Sequence, residues 1–173
     1  MELSSIIIGA AAMLAATTAQ AVDVPAGNFV TMQTTEGPVV IELYPNVAPK
    51  HVESFKTLIA KGFYNGLTFH RVVPGFVVQG GDPSGNGTGG PGYHIKAEFS
   101  NLPHQRGTVA AARSADPDSA GSQFYIVLDA TNAHHLDGQY TIFGQVVEGM
   151  ENVDKIKKGD KMESFQISDQ KPE

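Results

Sequence analysis

The sequence predicts a mainly β protein, an antiparallel sheet closed into a barrel with helices at its ends. Three observations predict it. Short β-rich runs recur between turn clusters, only two segments carry helical spacing, and no strand–helix–strand rhythm appears. The chain has 173 residues, 41% of them hydrophobic, which suits one domain with a sizeable core.

Composition excludes several functions. There is no cysteine, hence no disulfide, thiolate metal site or cysteine nucleophile. The formal net charge of −6 argues against nucleic acid or an anionic membrane surface as partner.

The N-terminus has its own pattern. Ile6 to Ala16 is apolar over a signal-peptide length, and Ala19-Gln20-Ala21 supplies a small-x-small cleavage site. We expect residues 1–21 to be a signal peptide and residues 22–173 the mature domain, which places it in the periplasm or outside the cell. The n-region departs from the pattern, with Glu2 and no Lys or Arg. An uncleaved anchor is the alternative, since Leu3 to Val22 carries no charge. A cytoplasmic protein with a misread start is a third reading.

The elements follow in order. Residues 28–45 read as a hairpin about Glu36-Gly37-Pro38, with Val39, Ile41 and Leu43 on one face. Asn46 to Pro49 opens a helix, with Asn46 as cap and Pro49 in the first turn. Val52, Phe55, Leu58 and Ile59 form its apolar stripe, and Gly62 stops it. Residues 69–73 and 76–79 are two strands joined by Pro74-Gly75, followed by a glycine-rich loop over 80–94. Further strands are expected at 107–113, 122–128, 140–147 and 163–169, with a short helix over 148–159.

Three motifs are decoys. Residues 85–90 satisfy G-x-G-x-x-G, but Pro91-Gly92 follow at once and no helix can start there to face a phosphate. His134, His135 and Asp137 lack metal-ligand spacing, so no metal is expected. Gly121-Ser122-Gln123 lacks the second glycine of a nucleophile elbow.

Arg71 is the anomaly, a permanent cation inside an apolar strand run and sharing a face with Phe69 and Val73. Residue physics leaves two readings open, a functional cation or a structural arginine paired with Asp82 or Glu98.

The segments FHRVVPGFVVQGGDPSGNGTGG, AGSQFYIVL and HLDGQYTIFGQVVEGM resemble the signature segments of the cyclophilins, the cyclophilin-type peptidyl-prolyl cis-trans isomerases. The similarity runs from about Asn28 to the last strand. It implies a closed eight-stranded antiparallel barrel capped by two helices. It also implies rotation about Xaa-Pro bonds in proline-containing peptides and unfolded polypeptides, without cofactor or metal. By the same resemblance Arg71, Phe76 and Gln79 are catalytic. Val77, Tyr125 and Leu136 complete the proline slot. Gln123 and the main chain at Ala112 and Arg113 hold the substrate backbone, with His70, His135 and Tyr140 at the rim.

Several positions depart from the best-known members. Val77 stands where methionine is common, Tyr125 for phenylalanine, Arg113 for asparagine and Tyr140 for histidine. His135 replaces an aromatic that is often the tryptophan gripping cyclosporin, so weak cyclosporin binding is expected. A monomeric helper for folding exported proteins is the reading this supports. A proline-peptide binding module without catalysis is the competing class.

Overall fold

The computed structural model describes residues 24–173. The expected signal segment, residues 1–21, lies outside the described residues. Eight strands and two α-helices follow in the order β1 Phe29–Thr34, β2 Gly37–Leu43, α1 Pro49–Ala60, β3 Arg71–Val73, β4 Val77–Gly80, β5 Thr108–Ala111, β6 Phe124–Val127, β7 Ile142–Glu148, α2 Met150–Val153 and β8 Met162–Ser168. All pairings are antiparallel, in the spatial order β3-β4-β6-β5-β7-β2-β1-β8.

The ladder does not close as expected. The edge strands β3 and β8 have no ladder between them, so the sheet is an open half-barrel. The segments leading into those strands do meet. Thr68 and Lys161 form a single bridge. Phe69 N donates to Asp160 O at 2.8 Å, and Met162 N to Leu67 O at 2.8 Å. Asp160 also sits in a local turn, its carboxylate accepting from Lys157 N, which bends the chain before β8 begins.

The β1–β2 turn comes one residue earlier than expected. Thr34 pairs with Gly37, leaving Thr35-Glu36 as a two-residue loop. The Thr34 hydroxyl donates to Gly37 O at 2.7 Å and accepts from Glu36 N at 3.2 Å, satisfying the turn internally.

Helix α1 starts at Pro49, but Asn46 does not cap it, and the N-cap position is Ala48. A distant carboxylate does that work. Glu98 accepts from Lys50 N at 3.2 Å and His51 N at 2.8 Å, two of the orphan donors of the first turn. The C-terminus behaves as predicted. Gly62 takes φ 71°, Gly62 N bonds Ile59 O and Phe63 N bonds Leu58 O, the paired bonds of a Schellman turn. The second helix is one turn rather than the expected 148–159, and Asp154 and Lys155 continue only as a turn.

Two apolar clusters occupy opposite faces of the sheet. The inner one gathers Val30, Met32, Ile41, Val78, Phe124, Ile126 and Phe143 around Phe55 of α1. The outer one gathers Val77, Ala110, Tyr125, Val127 and Ile142, with Phe76, Leu136 and Tyr140 packed on it. Strands β5 and β6 therefore bury every residue, because alternate side chains feed different clusters.

Candidate active site

The outer cluster opens as a cleft of about 290 Å³ lined by Arg71, Phe76, Val77, Gln79, Ala112, Arg113, Tyr125, His135, Leu136 and Tyr140. Ten of the twelve residues expected at the site thus come together. Gln123 lines the adjoining groove with Gln79, Ala112 and Arg113. His70 does not line the cleft. It lies half-buried beneath the glycine loop, with its Nε2 3.7 Å from where a β-carbon on Gly87 would be.

Register places the polar ends. Arg71 stands opposite Gln79 on the β3–β4 ladder, and Gln79 opposite Tyr125 on β4–β6. Arg71 is exposed at the cleft edge and pairs with neither Asp82 nor Glu98. Its Nη1 donates to Gln79 Oε1 at 3.4 Å. Gln79 Nε2 donates to Gln123 Oε1 at 3.2 Å, and Gln123 Nε2 donates to the carbonyls of Gly87 and Gly89, each at 3.0 Å. Those carbonyls can only accept, so they orient the Gln123 amide, which orients Gln79 in turn.

Asp82 anchors the far end of this chain of bonds. It is 1% exposed and accepts from the backbone amides of Ser84, Asn86 and Gly87. Burial raises its pKa, but these amide bonds together outweigh that and hold it below the usual carboxylate range. Within the G-x-G-x-x-G loop the Asn86 and Gly87 amides are thus taken by a carboxylate of the chain itself, Gly85 N by the Asp82 main-chain carbonyl and Thr88 N by Asn86 Oδ1, which argues against a phosphate there.

The apolar floor has a polar underside. Tyr125 is buried, and burial pushes its hydroxyl pKa up. The hydroxyl meets His104 Nε2 at 2.8 Å, while His104 Nδ1 meets Asp137 Oδ1 at 2.8 Å. An ionised carboxylate only accepts, so Nδ1 carries the imidazole proton and Tyr125 donates to Nε2. Asp137 also accepts from His104 N and from His134 Nδ1, tying the short helical turns that carry His135 and Leu136 to the floor. Sequence reasoning missed His104. It sits in a loop without periodicity, 21 and 33 residues from its two partners.

The rim is aromatic. His135 stacks on Phe76 with centroids 5.5 Å apart, and Tyr140 meets Tyr125 edge-on at 5.9 Å. The Arg113 guanidinium covers the Tyr140 ring at 4.5 Å. The Ala112 amide is committed to Gln123 O at 3.0 Å, leaving the Ala112 carbonyl and Arg113 amide without partners among the described residues. Such a pair suits an extended peptide. No group of three metal-ligating side chains occurs among the described residues.

The arrangement is therefore a small apolar slot with two guanidiniums at its edge, Arg71 and Arg113, and no carboxylate among its described lining residues. Residues 29–172 match the family model described as cyclophilin type peptidyl-prolyl cis-trans isomerase/CLD. The chain belongs to the cyclophilins. A Helicobacter pylori peptidyl-prolyl cis-trans isomerase is 46% identical over 144 residues, 81% of this chain and 86% of that protein. Peptidyl-prolyl cis-trans isomerase B of Bacillus subtilis is 47% identical over 131 residues, 75% of this chain and 90% of that protein. Among solved structures, a Cryptosporidium parvum cyclophilin crystallised in the presence of the dipeptide Ala-Pro aligns with TM-score 0.75 and 31% identity, covering 81% of this chain and 98% of that one. This cyclophilin is an isomerase of the peptidyl-prolyl cis-trans type.

Proposed function

We propose that Arg71 catalyses rotation about Xaa-Pro bonds held in this cleft, in exported polypeptides that are still folding. The observation that carries the mechanism is the exposed Arg71 guanidinium beside an apolar slot, with no carboxylate partner among the described residues. A peptide bond resists rotation by about 18–20 kcal/mol because the nitrogen lone pair is delocalised. In the twisted amide that lone pair returns to the prolyl nitrogen. A cation there is favoured more in the twisted state than in the planar one, which lowers the barrier. Phe76, Val77, Tyr125 and Leu136 take the ring. The Ala112 carbonyl and Arg113 amide fix one side of the chain, so that the other side turns against it. No covalent step or general base enters.

The export reading rests on the apolar run and small-x-small site before Val22. Slow uncatalysed Xaa-Pro isomerisation gives such an enzyme a task outside the cytoplasm. His135, in place of a gripping tryptophan, leaves cyclosporin weakly held. The enzyme acts as a monomer in this reading.

The test is cis–trans exchange of a short Ala-Pro peptide followed by NMR, with the Arg71→Ala variant beside the parent. Fast exchange that collapses in the variant supports the mechanism. Binding with exchange left at the uncatalysed rate moves the function to a proline-peptide binding module. For export, N-terminal sequencing that starts at Val22 supports the reading, and an intact Met1 in the cytosolic fraction overturns it.

A further inference from the structure

The cleft and its neighbouring groove depart from the charge of the rest of the chain. The protein has 18 Asp and Glu against 12 Lys and Arg. Yet neither the cleft nor the adjoining groove of about 570 Å³ has a carboxylate in its lining among the described residues, and both are lined by Arg113.

Arg113 is held rigidly by neutral partners. Its Nε and Nη2 donate to Gln139 O at 3.0 and 2.8 Å. Its Nη1 donates to Ser114 O at 2.9 Å, and to Ala115 O at 3.4 Å. Its face lies on Tyr140. Carbonyls and a ring orient a guanidinium without cancelling its charge, and one N–H on Nη2 remains without a partner among the described residues. The two acids nearest in sequence, and the one near Gln139, accept hydrogen bonds elsewhere. Asp116 accepts from Asp118 N, Asp118 from Ala97 N, and Asp137 from His104 and His134. An arginine fixed at the junction of two substrate-sized spaces, with charge to spare, selects what lies beside it.

We propose that Arg113 is a specificity-determining residue, which makes this enzyme prefer Xaa-Pro segments carrying an aspartate or glutamate within a residue or two of the proline. The inference rests on the isomerase reading above. Arg113 lines both spaces, so a side chain adjacent to a proline seated in the cleft falls within its reach. Arg71, the other cation of the cleft, faces the prolyl nitrogen and adds to the same field.

Two peptide series test it, Ala-Xaa-Pro-Phe and Xaa-Ala-Pro-Phe, with Xaa as glutamate, alanine or lysine. The expected order of kcat/KM in at least one series is glutamate, alanine, lysine. The ratio of glutamate to lysine should be about fivefold at low salt, the size of a pairing between exposed charges, and should shrink at high salt. Arg113→Gln should bring the ratio towards one, and Arg113→Glu should invert it. These ratios cancel any general loss from disturbing Gln139 or Tyr140, and the salt titration of the parent stands if a variant fails to fold. A parent ratio near one in both series overturns the proposal, as does a ratio unchanged in both variants. Failure to accelerate even the alanine peptides overturns the isomerase reading itself, and this inference with it.

Discussion

The Tyr125 hydroxyl donates to Nε2 of His104 at 2.8 Å, and the imidazole it meets is 0% exposed. The wall of the proline slot is thereby fastened from below. Tyr125→Phe keeps the ring but leaves a buried nitrogen without a donor. We expect a stability loss of about 1–3 kcal/mol, the cost of one unsatisfied buried polar group. Urea denaturation reads it. The kcat/KM for an Ala-Pro peptide should stay within about threefold, since the apolar wall is retained. An unchanged urea midpoint would show the bond contributes nothing.

Acid should destabilise the protein in two stages. His51, His70 and His104 all have imidazole pKa values lowered by burial, which outweighs the carboxylates beside them. The unfolded chain therefore binds protons that the folded chain refuses. Stability from these groups is complete above the unfolded imidazole value of about 6.5 and declines as pH falls below it. Asp82, Asp137 and Asp154 have lowered pKa values, so their contribution is present above the unfolded carboxylate value and goes only at lower pH. Urea midpoints measured from pH 8 to pH 3 should fall first near pH 6 and again below about pH 4. A flat profile down to pH 5 contradicts the histidine stage.

Catalysis should not follow that curve. Arginine keeps its charge throughout the working range. With the fold intact, kcat/KM should be level from about pH 7 to 9. Arg71→Ala should lower it by about a hundredfold or more, the loss typical of removing one transition-state donor. Because Arg71 is exposed and its side chain bonds only Gln79 among the described residues, the urea midpoint should barely move. A midpoint that falls together with activity would assign Arg71 a structural role.

Much of this was legible in the sequence, for identifiable reasons. All eight strands overlap predicted runs, with β4, β7 and β8 each extending one residue past them, since β-rich apolar runs bounded by turn residues report strand burial directly. Arg71 stood out because a cation breaks an apolar strand. The long-range bonds were not legible. Glu98 caps a helix 47 residues away, and Asp82 holds a loop whose glycines resemble a phosphate site. The chain enters β8 through a turn at residues 157–160, most of which falls in the helix expected over 148–159, and the gap between β3 and β8 was not legible either.

The loop anchor makes its own prediction. A β-carbon on Gly89 would collide with the Asp82 carboxylate and with Ser84 Oγ at 2.6 Å. Gly89→Ala should push the loop outward and take away the Gly89 carbonyl that orients Gln123. Arg71 would then lose its aim through Gln123 and Gln79, so kcat should fall severalfold with KM less affected. Asp82→Ala should loosen the same loop and in addition cost stability, about 3 kcal/mol, by leaving several amides unpaired at once. Equal kcat in Gly89→Ala and the parent would mean that the loop does not position Arg71.

The rim yields the last prediction. His135 stacks on Phe76, so a larger ring at that position extends the apolar wall of the cleft without entering it. The histidine offers less apolar area than the tryptophan of family members that bind cyclosporin tightly. His135→Trp should therefore tighten cyclosporin inhibition by about tenfold, the equivalent of burying one further aromatic edge. Short Ala-Pro peptides should be turned over at nearly the parental rate, because the proline slot itself is unchanged. Titrating the inhibitor against both proteins checks it. Inhibition of the parent already in the low nanomolar range would show that the histidine rim does not weaken the grip.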